Sequence, residues 1–123
     1  MANATLVSSI GPVTNPRTEA LYHAIIGRDG TACHLCGDET APMERSADHL
    51  RPKARGGSDR LANLALSHKI CNGVRGTASV EIARPVIRWF RDGWLSRAEA
   101  KDLLWRARHC AEHRRVSAET SPR

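Results

Sequence analysis

Two pairs of metal-ligand residues, Cys33-x-x-Cys36 and His68-x-x-Cys71, bracket 31 residues and narrow what this chain can fold into. Thiolate and imidazole donors two residues apart can point at one ion, and zinc prefers such donors in a closed tetrahedron. One ion held by both pairs would close a loop over residues 37–67. The chain has reason to need that staple. Its 123 residues make one domain by length, with three Trp, one Tyr and one Phe to build a core, and small cores are commonly supplemented by a structural metal. Two other readings compete. Cys33 and Cys36 alone could be a redox dithiol, although the βαβ context of that motif is missing. His34 could replace His68 in the ligand set. In a secreted protein four cysteines would suggest two disulfides; the close spacing and flanking histidines favour metal in a reducing compartment. Cys110, at the edge of an apolar helical stripe, reads as a small buried hydrophobe.

Local signals supply the elements. Asn15-Pro16 predicts an N-cap followed by Pro at the first helical position. Leu21, Tyr22, Ile25 and Ile26 give that helix one apolar side before Gly27 and Gly30 end it. Cys33 to Gly37 is expected to form a tight knuckle. Short strands over 46–51 and 63–67 are joined by a loop containing Pro52 and Gly56-Gly57. A short helix from His68 to about Arg75, stopped by Gly76, completes a β-β-α unit. Val80 to Phe90 is predicted helical, with Pro85 breaking it or starting a second piece. The capping box Ser96-Arg97-Ala98-Glu99 opens a last helix running to about Arg115. Its apolar stripe is Ala100, Leu103, Ala107 and Ala111, with Leu104 and Cys110 at the edges. The expected organisation is a flexible lead-in over 1–14, a single domain over 15–116 and a disordered tail over 117–123. Within the domain the core spans 28–76 and basic helices span 79–116.

No apolar run approaches the roughly 18 residues of a membrane helix, and Met1 to Ile10 lacks the basic start of a secretory signal. The expected location is the cytoplasm. The net charge of +6 fits a polyanion partner. Residues 84–116 hold nine Lys/Arg against four Asp/Glu, whereas 33–83 are nearly balanced at seven against six. The basic excess therefore lies C-terminal to the β-β-α unit. Arginines outnumber lysines 16 to 3, which suits phosphate binding, although a GC-rich coding genome gives the same bias.

The β-β-α unit also carries chemistry. Phosphodiester hydrolysis needs an activated water and neutralisation of charge at the phosphate. A neutral imidazole takes a proton near pH 7, so His49 is the candidate base. Asp48 offers a carboxylate and Asn72 an amide oxygen to a Mg²⁺-like ion. Asn63 is placed to hold the imidazole by a hydrogen bond, fixing its tautomer. Gly56 and Gly57 allow a tight hairpin or a close approach to phosphate. Lys53, Arg55, Lys69 and Arg75 are candidate nucleic-acid contacts. Singly, each residue has a duller explanation as a cap, turn or half-buried polar group; the combined order and spacing carries the reading. His109 and His113, spaced i, i+4, read as solvated helix residues.

Cys33-x-x-Cys36, Asp48-His49-Leu50-x-Pro52, Gly56-Gly57, Asn63-Leu64 and Cys71-Asn72-x-x-Arg75-Gly76 together resemble the HNH endonuclease family, as does the lead-in Arg28-Asp29-Gly30. The resemblance covers about residues 28–76. It implies an α+β fold: a small zinc-bound ββα-metal core with flanking α-helices. It further implies a metal-dependent DNA endonuclease in which Asp48 and Asn72 bind the catalytic Mg²⁺ or Mn²⁺, His49 activates water and Asn63 orients His49. Products would carry 5′-phosphate and 3′-hydroxyl ends. The chain departs from the family pattern in having Asn72 at the third signature position, an HNN variant, and His68 where many relatives have cysteine. Small freestanding proteins of this kind resemble those of phages and mobile elements, some working beside the DNA-packaging terminase in a bacterial host. The competing expectation is a non-catalytic zinc-dependent nucleic-acid-binding module. A third makes the C-terminal helices a docking surface for a protein partner, anchored by Trp89, Trp94 and Trp105.

Overall fold

The computed structural model describes residues 7–8, 11–12 and 15–120, with side-chain surroundings for 15–110. At the N-terminus, β1 (Val7–Ser8) pairs antiparallel with β2 (Gly11–Pro12), and β2 lies against the turn of Pro42–Glu44. The rest of the expected lead-in lies outside the described residues, as do 121–123.

Helix α1 spans Pro16–Asp29 and is capped as its sequence requires: Asn15 Oδ1 accepts from the Thr18 N–H at 2.8 Å, satisfying one of the unpaired first-turn donors. Gly27 is absorbed into the helix, and Gly30, at φ +84°, ends it. Ile25 is fully buried against Leu64 and Leu66, with Leu21, Tyr22 and Ile26 packed around them. Burying a side chain like Ile25 stabilises by roughly 1.5–3 kcal/mol.

Strands β3 (Arg45–His49) and β4 (Leu64–His68) form an antiparallel ladder with Ala47 opposite Leu66 and Asp48 opposite Ala65. Side chains alternate across a sheet, and directly opposed residues share a face. Ala47, Leu64 and Leu66 therefore face α1, while Ser46, Asp48, Ala65 and Ser67 face helix α2 (Lys69–Arg75). The result is a ββα unit with a second helix on its other face.

Helices α3 (Val80–Arg91) and α4 (Arg97–Thr120) pack together beyond it. Pro85 does not break α3. It costs the bond its absent N–H would donate to the Glu81 carbonyl, but both residues are exposed, so water can solvate that carbonyl. Ala83, Val86 and Ile87, meanwhile, bury the opposite face against the knuckle and α4. The Ser96 capping box forms as expected, with Glu99 N to Ser96 Oγ at 3.0 Å and Ser96 N to Glu99 Oε1 at 2.9 Å. The apolar stripe is rotated from the predicted one. Ala100 and Leu104 are buried, whereas Leu103 is exposed; Ala111 lies outside the described side chains. Ala100 and Leu104 join the buried cluster that holds Val74 and Ala78. Cys110 is exposed, contrary to the buried position expected of it. The helix continues to Thr120, past Arg115 and into the expected tail.

Candidate active site

The knuckle assembles as its spacing predicts. The ligand atoms of Cys33, Cys36, His68 and Cys71 all lie within 4.8 Å of one another, and all four residues are buried. His68 Nδ1 is 3.4 Å from Cys36 Sγ and 3.6 Å from Cys71 Sγ. The other ring nitrogen, Nε2, lies 3.0 Å from the Glu39 carbonyl. A carbonyl only accepts, so Nε2 carries the proton and Nδ1 is left as the ligand atom. Backbone N–H groups of Cys36, Asp38 and His68 point at Cys33 Sγ or Cys36 Sγ at 3.4–3.5 Å. Sulfurs this close divide their charge unequally: hydrogen bonding from Cys71 draws Cys33 down to about 4, and that same contact pushes Cys71 up. A cation removes the conflict. Buried S₃N donors, a tethered imidazole and N–H···S bonds fit a structural zinc.

The redox reading and the ligand set with His34 both give way here. His34 points elsewhere: its Nε2 lies 2.6 Å from Asp48 Oδ2. Arg75 Nη1 meets that same oxygen at 2.7 Å. Asp48 thus ties the knuckle, the hairpin and α2 together. Its side chain is 6% exposed and that of Arg75 is 0% exposed.

Arg75 is therefore not available to a phosphate, against expectation. Its remaining donors go to the carbonyls of Ala78, His49 and Leu50 at 2.6–2.8 Å. It holds the end of β3 onto α2 from inside. Lys53 and Lys69 are exposed and Arg55 half-buried, as surface contacts require.

Asn72 sits one residue past a zinc ligand, on the α2 face that also carries Arg75. Its Nδ2 donates to Ser46 Oγ at 3.0 Å. Asn72–Ser46 and Arg75–Asp48 are thus successive rungs between α2 and β3, because i, i+3 on a helix and i, i+2 on a strand each keep one face. Asp48 Oδ1 and Asn72 Oδ1 have no partner among the described residues. Two hard oxygens at one interface suit a Mg²⁺-type ion.

His49, the next residue along β3, belongs by strand alternation to the opposite face. Its Nε2 lies 2.8 Å from Asp59 Oδ1, and Lys53 Nζ is 3.0 Å from Asp59 Oδ2. These two neighbours, His49 first, hold the Asp59 carboxyl below its ordinary range.

Asn63 does not bond the imidazole. It clamps the loop instead: Oδ1 accepts from Arg51 N at 2.8 Å, and Nδ2 donates to Arg51 O at 3.0 Å and Ser58 O at 2.7 Å. The loop closes so tightly that a Cβ on Gly57 would lie 1.8 Å from the Arg51 carbonyl oxygen. The close approach expected at this glycine is made by the chain's own backbone. Gly56 supplies the left-handed residue beside it, at φ +87°.

An open groove of about 650 Å³ runs beside this loop, lined by Arg51, Arg55, Asn63 and Arg84 among others. Sequence reasoning missed Arg84 and Asp59, and considered His34 as an alternative zinc ligand rather than as a partner of Asp48. Asp59 had a signal, being the single acidic residue between Asp48 and Glu81. His34 and Arg84 had none, since their relevance comes from tertiary contacts. Trp89, Trp94 and Trp105 are all exposed, Trp94 by 79%. Trp105 stacks on His109, with ring centroids 3.8 Å apart. The side chain of His113 lies outside the described residues.

A ββα unit joined to a four-donor Cys/His cluster, with an Asp-His pair at a strand end and an Asn on the adjoining helix, defines the class. The model of the HNH endonuclease family matches residues 33–77, so this segment is similar to the domains of that family. That family is generally nucleolytic and implies nucleic acid as the substrate. No curated protein and no solved structure matches the chain. Among the described residues no helix is long and apolar enough to cross a membrane.

Proposed function

We propose that this protein is a metal-dependent DNA endonuclease with His49 as general base. The observation that carries the proposal is the arrangement at the end of β3. His49 is half-buried, with one ring nitrogen anchored and Nδ1 without a partner among the described residues, beside an exposed loop. A phosphate reaching both His49 and Asp48 must lie across the open end of the strand, because consecutive strand residues face opposite sides. There, His49 Nδ1 takes a proton from water as the water oxygen bonds to phosphorus and the P–O3′ bond breaks. The leaving 3′-oxygen takes its proton from solvent. Asp48 and Asn72 would hold a Mg²⁺ or Mn²⁺ ion, which when bound supplies charge neutralisation at the phosphate. Lys53, Arg55 and Lys69, with the Arg51 and Arg84 side of the groove, would carry flanking phosphates and fix register.

A second reading, a zinc-dependent module that binds nucleic acid without cutting it, is favoured by one observation. Asp48 Oδ2 is already neutralised by Arg75. Supercoiled plasmid incubated with zinc-loaded protein and Mg²⁺, Mn²⁺ or EDTA separates the two. The endonuclease reading expects divalent-dependent nicking that falls by at least about 100-fold in His49→Ala, in line with general-base contributions. Cleavage at the wild-type rate by that variant would remove His49 from its role. Retained DNA binding with no cleavage under any divalent ion would establish the binding module.

A further inference from the structure

We propose that Asp59 is the positioning residue for the His49 imidazole, and that Asn63 acts on His49 through it. This rests on the reading of His49 as the base. A carboxylate only accepts hydrogen bonds, so the 2.8 Å contact with Asp59 Oδ1 places the imidazole proton on Nε2 and the lone pair on Nδ1. The carboxylate is itself oriented from two sides. Lys53 Nζ takes its second oxygen at 3.0 Å, and Asn63 Nδ2 fixes the carbonyl of the preceding residue, Ser58, at 2.7 Å. The chain of contacts is thus Asn63 to the Ser58 carbonyl, along the backbone to Asp59, and from its carboxylate to His49. The sequence places this acid among Arg51, Lys53, Arg55 and Arg60. A negative group there opposes the phosphate attraction of its neighbours, and the Lys53 contact offsets that charge locally. Its bond to the imidazole gives the acid a task that phosphate binding does not.

The test uses the zinc-loaded, full-length protein with Asp59→Ala and Asp59→Asn. Because Asp59 is 68% exposed, both variants are expected to fold. Long-range ¹H–¹⁵N spectra read the His49 tautomer directly, and plasmid nicking reads kcat and KM. Wild type should show the Nε2–H tautomer. Asp59→Ala should show a mixture, with kcat lower by about 10- to 100-fold, as when the hydrogen-bond partner of a metal-ligating histidine is lost, and KM within about threefold. Asp59→Asn, whose amide oxygen can still accept from Nε2–H, should fall between the two. An unchanged tautomer in Asp59→Ala, or a loss confined to KM, would overturn the proposal. If wild type cuts nothing, the endonuclease reading fails, and the tautomer shift still decides whether Asp59 orients the ring.

Discussion

Arg75→Ala separates a buried staple from a phosphate contact. The side chain is 0% exposed, and it pairs with an Asp48 carboxylate that is 6% exposed. Its other donors satisfy the Ala78, His49 and Leu50 carbonyls. Removing one partner of a buried pair costs roughly 3–5 kcal/mol, because the other charge is left uncompensated. Water entering the vacated space can rebond part of the three carbonyls, so they are not counted again. A domain of this size has about 5–15 kcal/mol of stability in total. At about 4 °C per kcal/mol, the melting temperature should fall by about 12–20 °C. Urea denaturation of the zinc-loaded protein measures the loss, with Lys69→Ala as the exposed comparison, expected within about 0.5 kcal/mol of wild type. Asp48→Asn combined with Arg75→Met should be less damaging than the sum of the single changes by at least about 1 kcal/mol, since the pair is in contact. Were Arg75→Ala to lose under about 1 kcal/mol and weaken only DNA binding, the buried-staple argument would be wrong and Arg75 would return to the surface role its sequence position suggests.

Three further outcomes are expected. Elemental analysis should find about one zinc per chain; chelation, or Cys71→Ser, should unfold the ββα unit, seen as loss of dispersed amide resonances, because binding energy at a closed site is folding energy. A well-dispersed spectrum after zinc removal would refute the staple. Gly57→Ala places a methyl 1.8 Å from the Arg51 carbonyl oxygen, so it should destabilise by about 1–3 kcal/mol or more, whereas equal stability by thermal melt would show that the loop relaxes freely. Arg88, whose guanidinium bonds both Asp38 oxygens and the Cys36 carbonyl, holds the Asp38 carboxyl below its ordinary value. The stability from that contact is fully present above the ordinary aspartate value of about 3.9 and is lost as pH falls through the lower folded-state value. An NMR titration should therefore give Asp38 a higher midpoint in Arg88→Ala than in wild type, and identical midpoints would remove Arg88 as the cause.

Much of this protein was legible in its sequence because it depends on spacing along the chain. Cys33-x-x-Cys36 and His68-x-x-Cys71 predict a four-ligand site since a two-residue gap dictates where both donors point. Asn15-Pro16 and Ser96-x-x-Glu99 predict caps since the groups they satisfy are three residues away. Alternation and turn residues likewise place β3, β4 and α2 within a residue or two. Tertiary structure decided what those elements do to one another. Whether Arg75 is a surface cation or a buried staple depends on which strand lies beneath α2. Whether Asn63 touches His49 or clamps the loop depends on how Gly57 lets residues 51–63 close. The rotation of α4 that buries Leu104 instead of Leu103, and the survival of α3 across Pro85, were set by the shape of the core they meet. Local rules act over three or four residues. The side-chain partners of His49, Asp48 and Arg75 lie 10 to 27 positions away, where only the packed chain brings them within hydrogen-bonding distance.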